Sequence, residues 1–269
     1  MFELFNFYHW SHLFCTFIII LIFDRILLKL NRRKQYIIIF ILSVINFLLH
    51  FFKVYTDGID GVKNQIYYIS LSNFCSINTV ILPFVLIFKN KRITDFMSIM
   101  CLVSGIIAML FCYCLEGENG VSNHTVRFFI THLLIFLIPF ELLRYNHVSI
   151  SYKSVKWCYL FFFIEQGIIY LNDIILFNFN IIPYQYYSNS SLVYGVRNDV
   201  DEMFGFIRYL VPNVFVINGE YIPVFWLMVP VLLVAILTYF IVIIFFDRNG
   251  FNNDYKEYRL RRVLKKYNL

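Results

Sequence analysis

Apolar runs of roughly 20 residues, long enough for an α-helix to cross the hydrocarbon of a bilayer, recur along the whole 269-residue chain. Short breaks carrying Lys, Arg, Asp, Glu, Gly or Asn part them. With 60% hydrophobic residues and a mean hydropathy of +0.68, such a chain has too little polar surface to cover a soluble globule. The short alternating segments of a membrane β-barrel do not occur. The pattern predicts an all-α polytopic bundle forming a single integral membrane domain over 1–269, with about seven spans. These are expected near His12–Leu30, Tyr36–Tyr55, Ile66–Phe88, Thr94–Leu115, Thr125–Tyr145, Val155–Asn178 and Ile222–Phe246.

Charge in the breaks orients the bundle, because cytoplasmic loops retain Lys and Arg. Asn31-Arg32-Arg33-Lys34, the Lys89–Arg92 break, the break holding Arg144, Lys153 and Lys156, and the basic tail 247–269 all fall on one side. The alternate breaks, with Asp57 and Asp60, Glu116 and Glu118, and the long segment 179–221, fall on the other. The N-terminus is therefore expected outside and the C-terminus in the cytoplasm, in a multi-pass protein of the cell membrane. A net charge of +6 gathered at helix ends is explained by orientation and predicts no nucleic-acid partner. Within 179–221, the aromatic load is consistent with either a short amphipathic helix around Asp201–Leu210 or a mobile outer loop. The six cysteines lack metal-type spacing, so neither a metal nor another cofactor is expected.

Polar residues inside the spans point to function. If the third span enters from outside near Ile66 and the fifth near Thr125, Cys75 lies roughly 13 Å deep and His132 roughly 10 Å deep. Asn172 and Asp173, near the outer end of the sixth span, reach the same layer. Ser72, Cys75, Asn78 and Thr79 make a polar stripe on the third span, while Glu165 and Gln166 extend the polar side of the sixth. A thiol and an imidazole at matched depth are what nucleophilic acyl chemistry on a lipid requires. The plainer readings are a cysteine that only packs and a histidine that only bonds a neighbouring helix. Ser98, Cys101, Gly105, Ala108 and Cys112 read as a close-packing stripe, and Glu141 with Arg144 as a local ion pair.

The segment Leu71-Ser72-Asn73-Phe74-Cys75-Ser76, then Phe128-Phe129-Ile130-Thr131-His132, then Asn172 and Asn178-Phe179, resembles the YwaF-like bacterial integral membrane proteins. More remotely it is similar to the eukaryotic transmembrane protein 164 acyltransferases and the androgen-induced lipid hydrolases. Where bacterial members carry Pro and His shortly before the Cys, this chain has Leu71 and Asn73. The resemblance implies acyl transfer between phospholipids, with Cys75 and His132 at the catalytic positions.

The sequence reading is thus a lipid acyltransferase or acyl hydrolase acting on a phospholipid in the outer half of the membrane. His132 would deprotonate Cys75, with Asn73 or Asn172 steadying the imidazole or the oxyanion, and Glu165 and Asp173 lining the substrate pocket. Two alternatives remain open: a carrier using Glu165, Asp173 and His132 as proton or solute ligands, and a structural subunit of a membrane complex. Oligomeric state is not specified.

Overall fold

The structure, a computed structural model, describes residues 1–182, 193, 209–217 and 220–266. The stretch Asp201–Leu210, read as either a helix or a loop, lies outside the described residues over 201–208. The chain is a helical multi-pass membrane protein: among the described residues six helices are long and apolar enough to span, and a bent pair brings the candidate crossings to seven if it is counted as one broken span. In chain order the helices are α1 (Phe7–Leu28), α2 (Arg32–Thr56), α3 (Val62–Ile69), α4 (Phe74–Phe88), α5 (Lys91–Leu110), α6 (Asn123–Arg144), α7 (Val155–Asn178), α8 (Met228–Phe245) and α9 (Arg248–Lys266). One short antiparallel ladder, β1 (Val216–Ile217) with β2 (Glu220–Tyr221), precedes α8.

Asparagine and serine set most helix starts. Asn6, Asn31, Asn73, Asn90 and Ser122 each accept an amide hydrogen of the first turn, beginning α1, α2, α4, α5 and α6. Of the membrane-length stretch of α6, 56% is buried, against 17% for α1 and for the helix ending at Phe245, so α6 forms the axis and the other two lie at the periphery. Ile39 of α2, Leu82 and Leu86 of α4, Phe96 and Met97 of α5, and Ile135 and Ile138 of α6 interlock in the main core.

The basic breaks gather at one end of this bundle. Arg144 pairs with Asp24, Arg32 Nη2 donates to the Asn146 carbonyl at 2.6 Å, and Lys153 pairs with Asp254 of α9 at 2.5 Å. The N-terminal segment docks at the opposite end, where Phe2 N donates to the Glu118 carbonyl at 2.7 Å.

Three expectations change. The third span is not one helix: α3 and α4 meet at a bend of 67° across Ser70–Asn73. Arg144 pairs with Asp24 instead of Glu141, whose carboxyl is buried without a partner. The tail, read only as basic, forms α9, and Asp247, the residue just before it, accepts from the Ser151 hydroxyl at 3.0 Å.

The small-residue stripe on α5 does pack closely. A Cβ at Gly105 would meet Phe136 N and Cβ at 2.9 Å and the His132 carbonyl at 3.0 Å, so α5 and α6 touch backbone to backbone there. Gly105→Val should force these helices apart at a cost of about 1–3 kcal/mol. The check is a lower midpoint in thermal unfolding of the purified protein, with Ala108→Val, one turn along, as comparison.

Candidate functional site

The site is built around the interruption of the third span. The carbonyl of Ile69, the last residue of α3, accepts from His50 Nε2 on α2 at 2.8 Å. Since a carbonyl can only accept, His50 carries its proton on Nε2 and presents the Nδ1 lone pair to the Lys53 ammonium at 3.5 Å. The Ser70 hydroxyl donates to the Tyr67 carbonyl at 2.7 Å, so in its 2.6 Å contact with Ser72 it is Ser72 that donates. Asn172 Nδ2 of α7 donates in turn to Ser72 Oγ and to its neighbour Asp173 Oδ1, both at 3.3 Å.

α4 restarts at Asn73, whose side-chain oxygen caps the Ser76 amide at 2.9 Å. Cys75 is the second residue of this helix. The amides of Phe74 and Cys75 have no acceptor among the described residues, as expected for the first turn. The half-buried thiol packs against the main core and has Lys53, Cys114 and Glu165 as its titratable neighbours. Glu165, on α7, is buried with neither carboxylate oxygen partnered.

On α6, His132 is half-buried, and its Nδ1 lies 2.8 Å from the Phe128 carbonyl, one turn back. The proton is therefore on Nδ1, and Nε2 keeps a free lone pair. The Phe128 ring lies against the imidazole at 4.1 Å between centroids. His132 and Cys75 are not hydrogen-bonded to each other; both have the Lys53 ammonium as a charged neighbour.

Above these side chains lies a charged group that the sequence reading passed over. Arg127, one turn before His132, donates from Nε to both Asp57 oxygens at 2.8 and 3.0 Å. The Tyr68 hydroxyl donates to the same carboxylate. Lys53 Nζ sits 5.0 Å from the Tyr68 ring centre and, among the described residues, has no carboxylate within ion-pair distance. Lys53, Arg127 and Asp57 thus leave one positive charge in excess. Their signal in the sequence was basic residues on the side where the charge rule expects few.

Of the residues singled out from sequence, Cys75 packs against the core cluster that contains Cys101, and Glu165 is within electrostatic range of both thiols. Asn172 and Asp173 join at the break, and His132 stands on the neighbouring helix. Asn73 spends its side-chain oxygen on the cap. Among the described residues, no three His, Cys, Asp or Glu side chains converge as a metal site.

The TMEM164 family model matches residues 4–198, the stretch that contains every one of these groups. The chain belongs to the TMEM164 family. No curated protein and no solved structure matches it significantly. The TMEM164 match ends before α8 and α9, so the site belongs to the part of the chain that the family shares.

Burial alone would push the Asp57 carboxyl up, but the hydrogen bonds from Arg127 and Tyr68, with the guanidinium charge, outweigh it and hold the group below its ordinary 3.8. A depressed carboxylate contributes stability that is complete above the ordinary value and lost as pH falls through the depressed one. Wild-type protein should therefore lose thermal stability steeply below about pH 4. Asp57→Asn should flatten that limb and, by stranding the buried guanidinium, cost about 3–5 kcal/mol at neutral pH. Melting curves from neutral to acid pH check both.

Proposed function

We propose that this TMEM164 family member moves acyl chains on phospholipids through a Cys75 thioester, in the outer half of the cell membrane. The observation that carries this reading is the tautomer of His132: with Nδ1–H held by the Phe128 carbonyl, Nε2 is an available base. It stands on the helix next to α4, whose first two residues, Phe74 and Cys75, have amides with no acceptor among the described residues.

In the first half-reaction Nε2 takes the thiol proton, and the Cys75 sulfur attacks the ester carbonyl carbon of the lipid. The Phe74 and Cys75 amides, aided by the helix N-terminus, offer hydrogen bonds to the oxygen that gains charge. The ester C–O bond breaks, the departing lysolipid oxygen takes the proton back from the imidazolium, and the acyl group remains as a thioester. A lysolipid hydroxyl or water then gives its proton to Nε2, attacks the thioester and restores the thiol. Lys53 and Arg127 would attract the lipid phosphate, and Glu165 and Asp173 would border the pocket. The residue segments that resemble the YwaF-like proteins support a place in the bacterial branch of the family.

A carrier reading draws on a different observation, the buried and unpartnered carboxyl of Glu165. The two are separated by assaying protein in vesicles with labelled phospholipid and with a proton-sensitive dye. Cys75→Ala should abolish acyl exchange, and His132→Ala should lower it by about 100-fold or more. Undiminished exchange in both variants would overturn the acyl-transfer reading. Proton flux that survives Cys75→Ala but is lost in Glu165→Gln would establish the carrier instead.

A further inference from the structure

At the basic end of the bundle, remote from Cys75, the start of α2, the junction of α4 and α5 and the loop 147–149 enclose a cleft of about 860 Å³. Its walls carry Arg32, Arg33, Lys89 and Lys91 against a single carboxylate, Asp95. Two of the cations have structural work: Lys91 Nζ binds Asp95 at 2.9 Å and the Ser149 carbonyl at 2.5 Å, and Arg32 donates to Asn146. The other two are uncompensated. Lys89 Nζ lies 4.8 Å from the Tyr36 ring centre, and among the described residues neither Lys89 nor Arg33 has an ion pair or a side-chain hydrogen bond. His147 Nε2, shielded from solvent, also lacks a partner.

The charge rule accounts for Lys and Arg in these breaks but not for their convergence. Arg32–Arg33 and Lys89–Lys91 belong to different breaks, and only the packing of α2 on α4 sets them around one space. Four like-signed groups around one carboxylate repel one another, and that repulsion is relieved by an anion. Ile37, Val85 and Leu86 form the remaining wall, and Ile37 is substantially exposed at the bundle surface. A cleft with a cationic rim, an apolar wall and a volume within the usual range of ligand pockets suits a phosphate group carried on an apolar body.

We propose that this cleft binds the phosphate of an anionic phospholipid drawn from the leaflet at the basic end, the cytoplasmic one by the charge rule. The site is separate from Cys75 and independent of any acyl chemistry. Arg33 and Lys89 supply the charge, while Arg32 and Lys91 hold the walls. A soluble phosphorylated compound could present the same chemistry, and the test distinguishes the two.

Thermal unfolding of the full chain in neutral detergent would be followed with dihexanoyl phosphatidic acid, dihexanoyl phosphatidylcholine and inorganic pyrophosphate. The phosphatidic acid should raise the midpoint saturably and the phosphatidylcholine should not. Arg33→Gln with Lys89→Gln should weaken the apparent affinity by about tenfold or more. Among the described residues neither side chain has an ion pair or a hydrogen bond, so this variant should fold, and Arg33→Lys with Lys89→Arg should retain most of the affinity. Lys256→Gln with Arg259→Gln, equal in charge lost but on the exposed face of α9, should leave it unchanged. Pyrophosphate matching the lipid at equal concentration would assign the cleft to a soluble phosphate and overturn the lipid source. An equal response to phosphatidylcholine, or equal losses in the cleft and tail variants, would overturn the site altogether.

Discussion

A helix that stops inside a span strands backbone groups where water cannot reach them, and each stranded group costs free energy unless another partner is found. The interruption at Ser70–Asn73 is affordable because its groups are met one by one: His50 for the Ile69 carbonyl, the Ser70 hydroxyl for Tyr67, and the Asn73 side chain for Ser76. Beside Cys75, the amides of Phe74 and Cys75 keep no acceptor among the described residues. Had the third span been continuous, those amides would have been consumed by the preceding turn. The reactive character assigned to Cys75 therefore comes from the interruption, not from the cysteine alone.

The same interruption is tied to three other helices. α2 reaches it through His50, α7 through Asn172 and Ser72, and α6 through Arg127, whose partner Asp57 also receives the Tyr68 hydroxyl. The Asp57–Arg127 pair is nearly closed to solvent, with 3% and 14% of the side chains exposed. A buried pair of this kind adds little net stability, yet removing one partner is expensive. Its value here is positional, because it locks the end of α3 to the turn of α6 that precedes His132.

Hydropathy and loop charge made the six long spans, the place of the bent pair and the two ends of the bundle legible. The interruption was hidden because Ile66–Phe88 is an apolar run without Gly or Pro at the break; only Ser-x-Ser-Asn, residues that cap helices and compete for backbone groups, marked it. α9 was missed because it is too polar for a hydropathy signal. Cys75, His132, Glu165 and Asp173 stood out as polar groups in apolar surroundings. Lys53 and Arg127 did not, since a charge at a helix end reads as topology until tertiary structure shows what it faces. No spacing in the sequence could reveal that, among the described residues, Arg127 pairs with a carboxylate and Lys53 does not.

Where α5 meets α6 at Gly105, the contact falls on the carbonyl of His132 itself. With no side chain between the two backbones, that pair of helices has no compressible layer and must travel as a single strut carrying the imidazole. The imidazole is thus braced from two directions, by α5 behind its own carbonyl and by the Asp57–Arg127 pair that joins its helix to the end of α3.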